Sequence, residues 1–266
     1  MDDNQFRKLL ERQNLSWAGY RKVRKGVKKR IRRHMRELGC RDIEAYLSEL
    51  EKNSEDRKQY ELLMTVSISR FFRDCKFWQT LQNELLPNLI KENKEKIKVW
   101  SVGCAREEEV YSLKIIWEQL KENIGNLPEL EIIATDMNPA CLERAKAGIY
   151  PSSSLKEVKK ELIEACFEPK KGGISYEIKS FLKKDIIWKQ SNLLSDPPGS
   201  GFNIIFLRNN LLTYYQEPEK TTAFKKIIHS LSPSGLLSIG SHEKLPFQTD
   251  KLKPIEPYSF VFKKLF

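Results

Sequence analysis

The chain has 266 residues, enough for one large domain or two smaller ones around a buried core. Its formal net charge is +11, from 47 basic against 36 acidic residues, which favours an anionic partner: nucleic acid, a membrane surface or an acidic protein. No stretch approaches the roughly 18 apolar residues of a membrane span, and the polar start Met1-Asp2-Asp3 is unlike a secretory signal.

Five cysteines with no C-x-x-C pair and three scattered histidines fit neither a disulfide framework nor a zinc site. The expectation is a cytoplasmic globular protein with reduced thiols, no metal and no membrane insertion.

From residue 1 to about 90 the periodicity is helical, with helices predicted over about 3–13, 18–38, 42–63 and 74–92. Gly39-Cys40-Arg41-Asp42 reads as a helix-ending glycine followed by an Asp N-cap. Between Arg21 and Arg36 lie ten Lys or Arg and no acid, around a narrow stripe of Val23, Val27, Ile31 and Met35. Like charges at that density repel one another, so this segment is read as an anion-binding face, a solvated helix face being the alternative.

The pattern changes at Ile97. Runs rich in β-branched and aromatic residues at 97–102, 131–135 and 202–207 alternate with helical stretches to about 123, over 139–147 and over 217–231. Two more runs, 236–240 and 258–262, close the chain. Such alternation predicts a parallel, doubly wound sheet, whose ligands sit beyond the carboxyl ends of the strands. The residues to inspect therefore start at Gly103, Asp136 and Arg208.

After the first run, Gly103 is followed by Cys104, Ala105, Arg106 and then Glu107-Glu108-Glu109. A pyrophosphate site would carry more glycines, and three carboxylates at a helix start repel phosphate while suiting the helix dipole. Beyond dipole compensation, they suit a cationic nucleoside without phosphate, a description S-adenosylmethionine meets. Asp136, 33 residues beyond Gly103, is placed to accept both hydroxyls of a ribose, with a plain turn or cap role as its alternative. After the third run come Arg208-Asn209-Asn210. The N/D-P-P-Y/F turn of amino-methylating enzymes is absent there, and Asp196-Pro197-Pro198-Gly199 precedes that strand and reads as a loop.

Taken in order, Phe71-Phe72-Arg73-Asp74, the segment Gly103 to Ser112, Ala134-Thr135-Asp136, Asn192-Leu193-Leu194, Arg208-Asn209 and Ser234-Gly235-Leu236-Leu237 resemble the CheR family of chemotaxis methyltransferases. That family transfers a methyl group from S-adenosylmethionine to glutamate side chains of chemoreceptors, leaving S-adenosylhomocysteine. The resemblance runs from about residue 15 to the C-terminus. It implies an α/β fold, a Rossmann-like S-adenosylmethionine-dependent methyltransferase sheet behind a small N-terminal all-helical domain. Residues 1–75 would dock the substrate and residues 76–266 would bind the cofactor.

Carried over position by position, the resemblance makes Asp136 the ribose acid and turns Glu109 toward the methionine ammonium group. Asn192-Leu193 and Arg208-Asn209 would line the adenine and methionine pockets, with Gly103 beside the cofactor and Ser67 and Ser69 facing it from the segment between the domains. Arg73 would orient the acceptor carboxylate beside the transferred methyl; a structural ion pair with Asp74 or another acid is its alternative. Segment 21–36 matches the receptor-docking helix, implying an acidic protein partner such as a chemoreceptor's cytoplasmic helix.

The chain also departs from the family pattern. In place of G-C-S-T-G-E-E-P-Y-S it has Gly103 to Ser112 with Arg106 and Glu107 where the family has Thr and Gly. A Cβ at Glu107 restricts close backbone approach if that position needs φ > 0. The family's active-site tyrosine aligns with Thr213, with Tyr214 next to it as the catalytic candidate and packing at the sheet rim as its other reading. The family's G-H-S-E reads Gly240-Ser241-His242-Glu243. Residues 151–190 look too short for a large peptide-binding β-subdomain, Gly172-Gly173 before Ile174–Ile178 suggesting a remnant hairpin. Two other functions remain open on the residues alone: a nucleic-acid methyltransferase working through the basic face, and a binding protein whose cofactor site has decayed at Arg106 and Glu107.

Overall fold

A computed structural model describes residues 1–66 and 69–266. The N-terminal part is helical: α1 (Asp3–Arg12), α2 (Trp17–Tyr20), α3 (Arg24–Glu37), α4 (Ile43–Lys52) and α5 (Ser54–Met64). Each boundary has a local cause. Asp2 caps α1 in a reciprocal capping box with Gln5, and Asp42 caps α4 through the Ala45 amide. The single helix expected over 42–63 is broken because Asn53 caps α5, its side chain accepting from the amides of Glu55 and Asp56. The expected 18–38 helix is likewise two pieces, with a turn at residues 21–23 between α2 and α3.

The apolar stripe of α3 does what its spacing implies. Val27, Ile31 and Met35 are buried in a core with Phe6, Leu9, Tyr46 and Tyr60, and Val23 packs at its edge. Part of the basic face is spent internally: Lys28 and Arg24 pair with Asp3, and Arg30 donates to the carbonyls of Leu63 and Thr65. Arg21, Lys22, Lys25, Lys29, Arg32, Arg33 and Arg36 stay exposed.

The rest is an α/β unit. Helices α6 (Cys75–Thr80) and α7 (Leu86–Glu92), joined by a π-helical turn at Leu81–Leu85, lead to β1 (Lys96–Val102), α8 (Glu108–Ile124), β2 (Glu129–Asp136) and α9 (Pro139–Ala147). After β3 (Ile149–Pro151) follow α10 (Lys160–Cys166), β4 (Phe167–Lys170), β5 (Ser175–Ile178) and β6 (Ile186–Gln190). Then come β7 (Phe202–Leu207), α11 (Leu211–Tyr214), α12 (Glu219–Ser230), β8 (Leu231–Ile239), β9 (Leu252–Ile255) and β10 (Tyr258–Lys264).

The main sheet has seven strands in the order β6-β2-β1-β7-β8-β10-β9. Strands β6, β2, β1, β7 and β8 are parallel, whereas β10 runs antiparallel to β8 and to β9. The all-parallel expectation is corrected at that edge: no helix separates β8 from β9 and β10, and without a crossover helix the chain returns antiparallel. Helix α8 and residues 71–90 cover one face, while Phe224 and Ile227 of α12 cover the other. The order reverses between β1 and β7, so the crevice for a ligand opens above those two strands.

Residues 149–178 form a separate three-stranded antiparallel sheet, β3-β5-β4. The hairpin expected around Gly172-Gly173 is its β4–β5 pair. Three strands lacked a clear signal in the sequence: β3, only three residues long, β6, a half-exposed sheet edge, and β9, a four-residue edge strand. Among the described residues, no helix is long and apolar enough to cross a membrane.

A backbone bridge ties the helical part to the sheet. The Ser16 amide donates to the Tyr214 carbonyl (2.8 Å), and the Gln216 amide to the Asn14 carbonyl (2.8 Å), so a short antiparallel bridge joins Leu15 to Tyr215. Helix α2 crosses α11 so closely that a Cβ at Gly19 would collide with the Thr213 carbonyl. This contact holds the helices over the carboxyl ends of the strands.

Candidate active site

The turn after β1 is built from left-handed residues: Gly103 (φ 63°), Ala105 (φ 55°) and Glu107 (φ 69°). Glycine is required at the first, because a Cβ there would lie 2.8 Å from Asn210 Nδ2 and 3.3 Å from Leu193 Cδ2. The turn aims the Ala105 amide at the end of β2, where it donates to Asp136 Oδ2 (2.9 Å) while the Asn138 amide donates to Oδ1 (2.8 Å). Burial raises the Asp136 pKa, and these two amides oppose the rise. Each carboxylate oxygen still has acceptor capacity, so the side chain is fixed without being used up.

A cavity of about 410 Å³ lies between the helices and the strand ends. Gly103, Asp136, Asn192, Leu193 and Tyr214 line it from the sheet side, and Tyr20 and Met64 from the helices. A smaller one, of about 60 Å³, is lined by Ser69, Arg73, Trp78, Glu109, Arg208 and Asn209. Gly103, Asn210 and Val66 border both. Every expected site residue among the described ones therefore borders one of two adjoining cavities; Ser67 lies outside the described residues.

Of the three arginines at the smaller cavity, Arg73 and Arg208 are in opposite electrostatic states. Arg208, with its side chain 3% exposed, donates through Nη1 to Glu109 Oε1 (3.0 Å) and through Nη2 to Asp74, and its guanidinium lies 5.2 Å from the Phe77 ring centroid. Its charge is consumed internally. Arg73 is half-buried, and its Nη2 donates to Asn209 Oδ1 (3.3 Å). Among the described residues no carboxylate lies within ion-pair distance of it: Asp74, its sequence neighbour, has gone to Arg208. Burial raises the Glu109 pKa, and the Arg208 guanidinium opposes this.

The three successive glutamates diverge. Glu109 lines the smaller cavity. Glu108 is buried, with the Ser154 hydroxyl donating to its Oε1 (3.5 Å) and Ser69 alongside. Glu107, 0% exposed, lines neither cavity, and among the described residues its oxygens meet no nitrogen or oxygen donor. Burial pushes its pKa well above the ordinary value, with the Cys104 thiol offsetting part of the effect. The restriction expected at this position is real, since φ is positive, but the side chain is buried outside both cavities. Arg106 also lines neither; its carbonyl accepts from the Tyr150 hydroxyl at 2.8 Å.

Tyr214 sits at the junction of the helices and the sheet. It packs against the helices, its ring centroid 5.0 Å from that of Tyr20, and it borders the larger cavity; burial raises its pKa. Sequence reasoning passed over Asn210, whose side chain donates to the Val102 carbonyl and accepts from the Leu211 amide (2.5 Å), locking the ends of β1 and β7 together. Its position directly after Arg208-Asn209 was the available signal.

The model of the family described as CheR methyltransferase, SAM binding domain, matches residues 67–260, well over half of the chain. The chain belongs to the CheR methyltransferase family. A chemotaxis protein methyltransferase of Listeria monocytogenes is 32% identical over 200 residues, 75% of this chain and 74% of that protein. The chemotaxis protein methyltransferase Cher2 of Pseudomonas putida is 27% identical over 252 residues, 92% of this chain and 90% of that one. Among solved structures, the SAM-bound amino pentose methyltransferase CalS10 from Micromonospora echinaspora has a TM-score of 0.37 at 11% identity, covering 66% of this chain and 56% of that one.

The chain is thus an S-adenosylmethionine-dependent methyltransferase of the CheR type, and its cavities fit such a ligand. Gly103 and Asp136 border the larger cavity, with Asp136 presenting acceptors at the end of β2, and the Glu109 carboxylate borders the smaller one.

Proposed function

We propose that this CheR-type enzyme methylates a glutamate carboxylate of an acidic protein, with a chemoreceptor's cytoplasmic helix as the first acceptor to test. The observation that carries this reading is Arg73, a cavity-lining guanidinium with a neutral side-chain partner beside an arginine that has two carboxylates. A guanidinium fork in that state suits bidentate capture of an incoming carboxylate.

When bound, S-adenosylmethionine supplies a methyl group on a sulfonium. The protein then has little proton chemistry to do, because a glutamate with a pKa of about 4.3 is already ionised at neutral pH. Its work is to hold the acceptor oxygen in line and keep water out, and alignment alone is worth about 7–11 kcal/mol. In this reading Asp136 binds the ribose, Asn192 and Leu193 border the adenine, Ser69, Arg208 and Asn209 shape the methionine end, and Glu109 faces the ammonium group. Tyr214 closes the cavity from the sheet side, against Tyr20 of the helices.

The helical residues 1–75 are assigned to substrate docking. The seven exposed basic residues between Arg21 and Arg36 support an acidic partner on that face.

The test is to incubate the protein with methyl-labelled S-adenosylmethionine and fractionated lysate from its own source, then treat the products with alkali. Label released as volatile methanol from a protein band establishes a carboxyl methyl ester and identifies the acceptor. Base-stable label on protein nitrogen or nucleic acid overturns the reading.

A further inference from the structure

The loop after β8 reaches back to the smaller cavity through one side chain that borders neither cavity. Glu243 Oε2 accepts from the amides of Asn209 (2.9 Å) and Gly240 (2.6 Å), and its Oε1 accepts from the Thr213 hydroxyl (2.5 Å). Asn209 has φ 55°, a left-handed conformation unfavourable for a residue with a Cβ unless its surroundings hold it. Glu243 supplies that hold at the Asn209 amide. The packing leaves no slack: a Cβ on Gly240 would lie 2.8 Å from both Asn209 Oδ1 and Glu243 Oε2. Asn209 Oδ1 is in turn the acceptor for Arg73 Nη2. The next link of the same loop, Ser241 Oγ, donates at 3.3 Å to Asp74, the residue that occupies Arg208.

We infer that Glu243 is a positioning residue: it fixes the backbone of Asn209 so that the Asn209 side chain orients the Arg73 fork. The inference rests on the role proposed for Arg73, and it explains the Thr213 departure in physical terms. A threonine hydroxyl at that place is a third ligand to the Glu243 carboxylate and braces the same knot.

The experiment uses full-length protein carrying Glu243→Ala and Glu243→Gln. Glutamine keeps one oxygen for the two amides, and its NH₂ group can donate to Thr213, so it serves as the conservative rescue. Glu243→Ala is expected to lower kcat about 10- to 100-fold on the base-labile acceptor fraction. Its S-adenosylhomocysteine affinity by calorimetry should fall by less than kcat does, because Asn209 also borders the methionine end, and Glu243→Gln should recover most of the rate. Nitrogen-15 relaxation of the Arg73 Nε–H reads the positioning without any acceptor, and its order parameter should fall in Glu243→Ala and recover in Glu243→Gln.

Unchanged Arg73 order in Glu243→Ala, or parallel losses of kcat and S-adenosylhomocysteine affinity, would overturn the inference. Should Glu243→Ala not fold, Gly240→Ala displaces the same Asn209 side chain, and full activity with unchanged Arg73 order in that variant would overturn it equally. Arg73→Ala separates the two claims. Near-normal turnover there removes the Arg73 role and this inference together, whereas lost turnover beside a fully active Glu243→Ala removes only the inference.

Discussion

Arg208 donates to Glu109 across 3.0 Å, joining the end of β7 to the first turn of α8, with Asp74 as its second carboxylate. The pair is almost wholly buried on the arginine side, so its effect is conditional: intact it is neutral, and broken it leaves a charge in a low-dielectric site. Arg208→Met should therefore cost about 3–5 kcal/mol of stability by chemical denaturation, since Glu109 and Asp74 lose their shared partner. S-adenosylhomocysteine affinity should fall with it. A cost below about 1 kcal/mol would mean that the two carboxylates find water or Arg73 instead.

Glu107 gives a prediction of the opposite sign. Its positive φ and unsatisfied buried carboxyl are both unfavourable, so Glu107→Gly should stabilise the protein by about 1–3 kcal/mol at pH 8. The pH dependence follows from the direction of its shift. Its folded pKa is raised well above the ordinary 4.5, so the folded state holds a proton that the unfolded state releases. Stability thus falls as pH rises from about 4.5 toward the folded value, and Glu107→Gly should flatten that decline. Thermal melts across pH 5–9 (the approximate range needed) give the comparison, and parallel curves for the two proteins would refute the account.

Asp136→Ala removes both acceptors that the Ala105 and Asn138 amides hold in place. Hydrogen bonds to a charged group are worth about 1.5–3 kcal/mol, so S-adenosylhomocysteine should bind about 10- to 100-fold more weakly by calorimetry. Unchanged affinity would remove Asp136 from the ribose site.

Gly19→Ala tests how the helical part is seated. The added Cβ meets the Thr213 carbonyl, a backbone atom that cannot rotate away, so α2 must shift off α11. Overpacking of this kind costs about 1–3 kcal/mol. Limited proteolysis should show faster cleavage in the bridge around Leu15, and wild-type cleavage rates with an unchanged melting temperature would show that the junction yields without cost.

Much of the fold was legible because local patterns set it. The helix expected over 139–147 is α9 (Pro139–Ala147), bounded by the Asn138 cap and by Gly148 at φ 67°. The strand expected over 202–207 is β7 (Phe202–Leu207), an apolar run that is buried on both faces. The breaks at residues 21–23 and at Asn53 were missed because hydrophobic periodicity runs straight across them; backbone turn bonds without a side-chain cap make the first, and the Asn53 cap makes the second. Strands β6 and β9 were missed because an edge strand needs burial on fewer sides and so carries a weaker apolar signal.

The strand-helix alternation, the glycine and the acid at two strand ends, the basic α3 helix and the family are all written in local residue order. These are properties of spacing over a few residues, where backbone geometry and side-chain period are the only physics required. Which arginine is neutralised depends instead on the folded arrangement. Arg208 takes Glu109 and Asp74, which lie 99 and 134 positions away, and leaves Arg73 with the side chain of Asn209, 136 positions away. Ion pairing acts over a few ångströms in space, so a carboxylate adjacent in sequence has no priority over one brought near by the order of strands in the sheet.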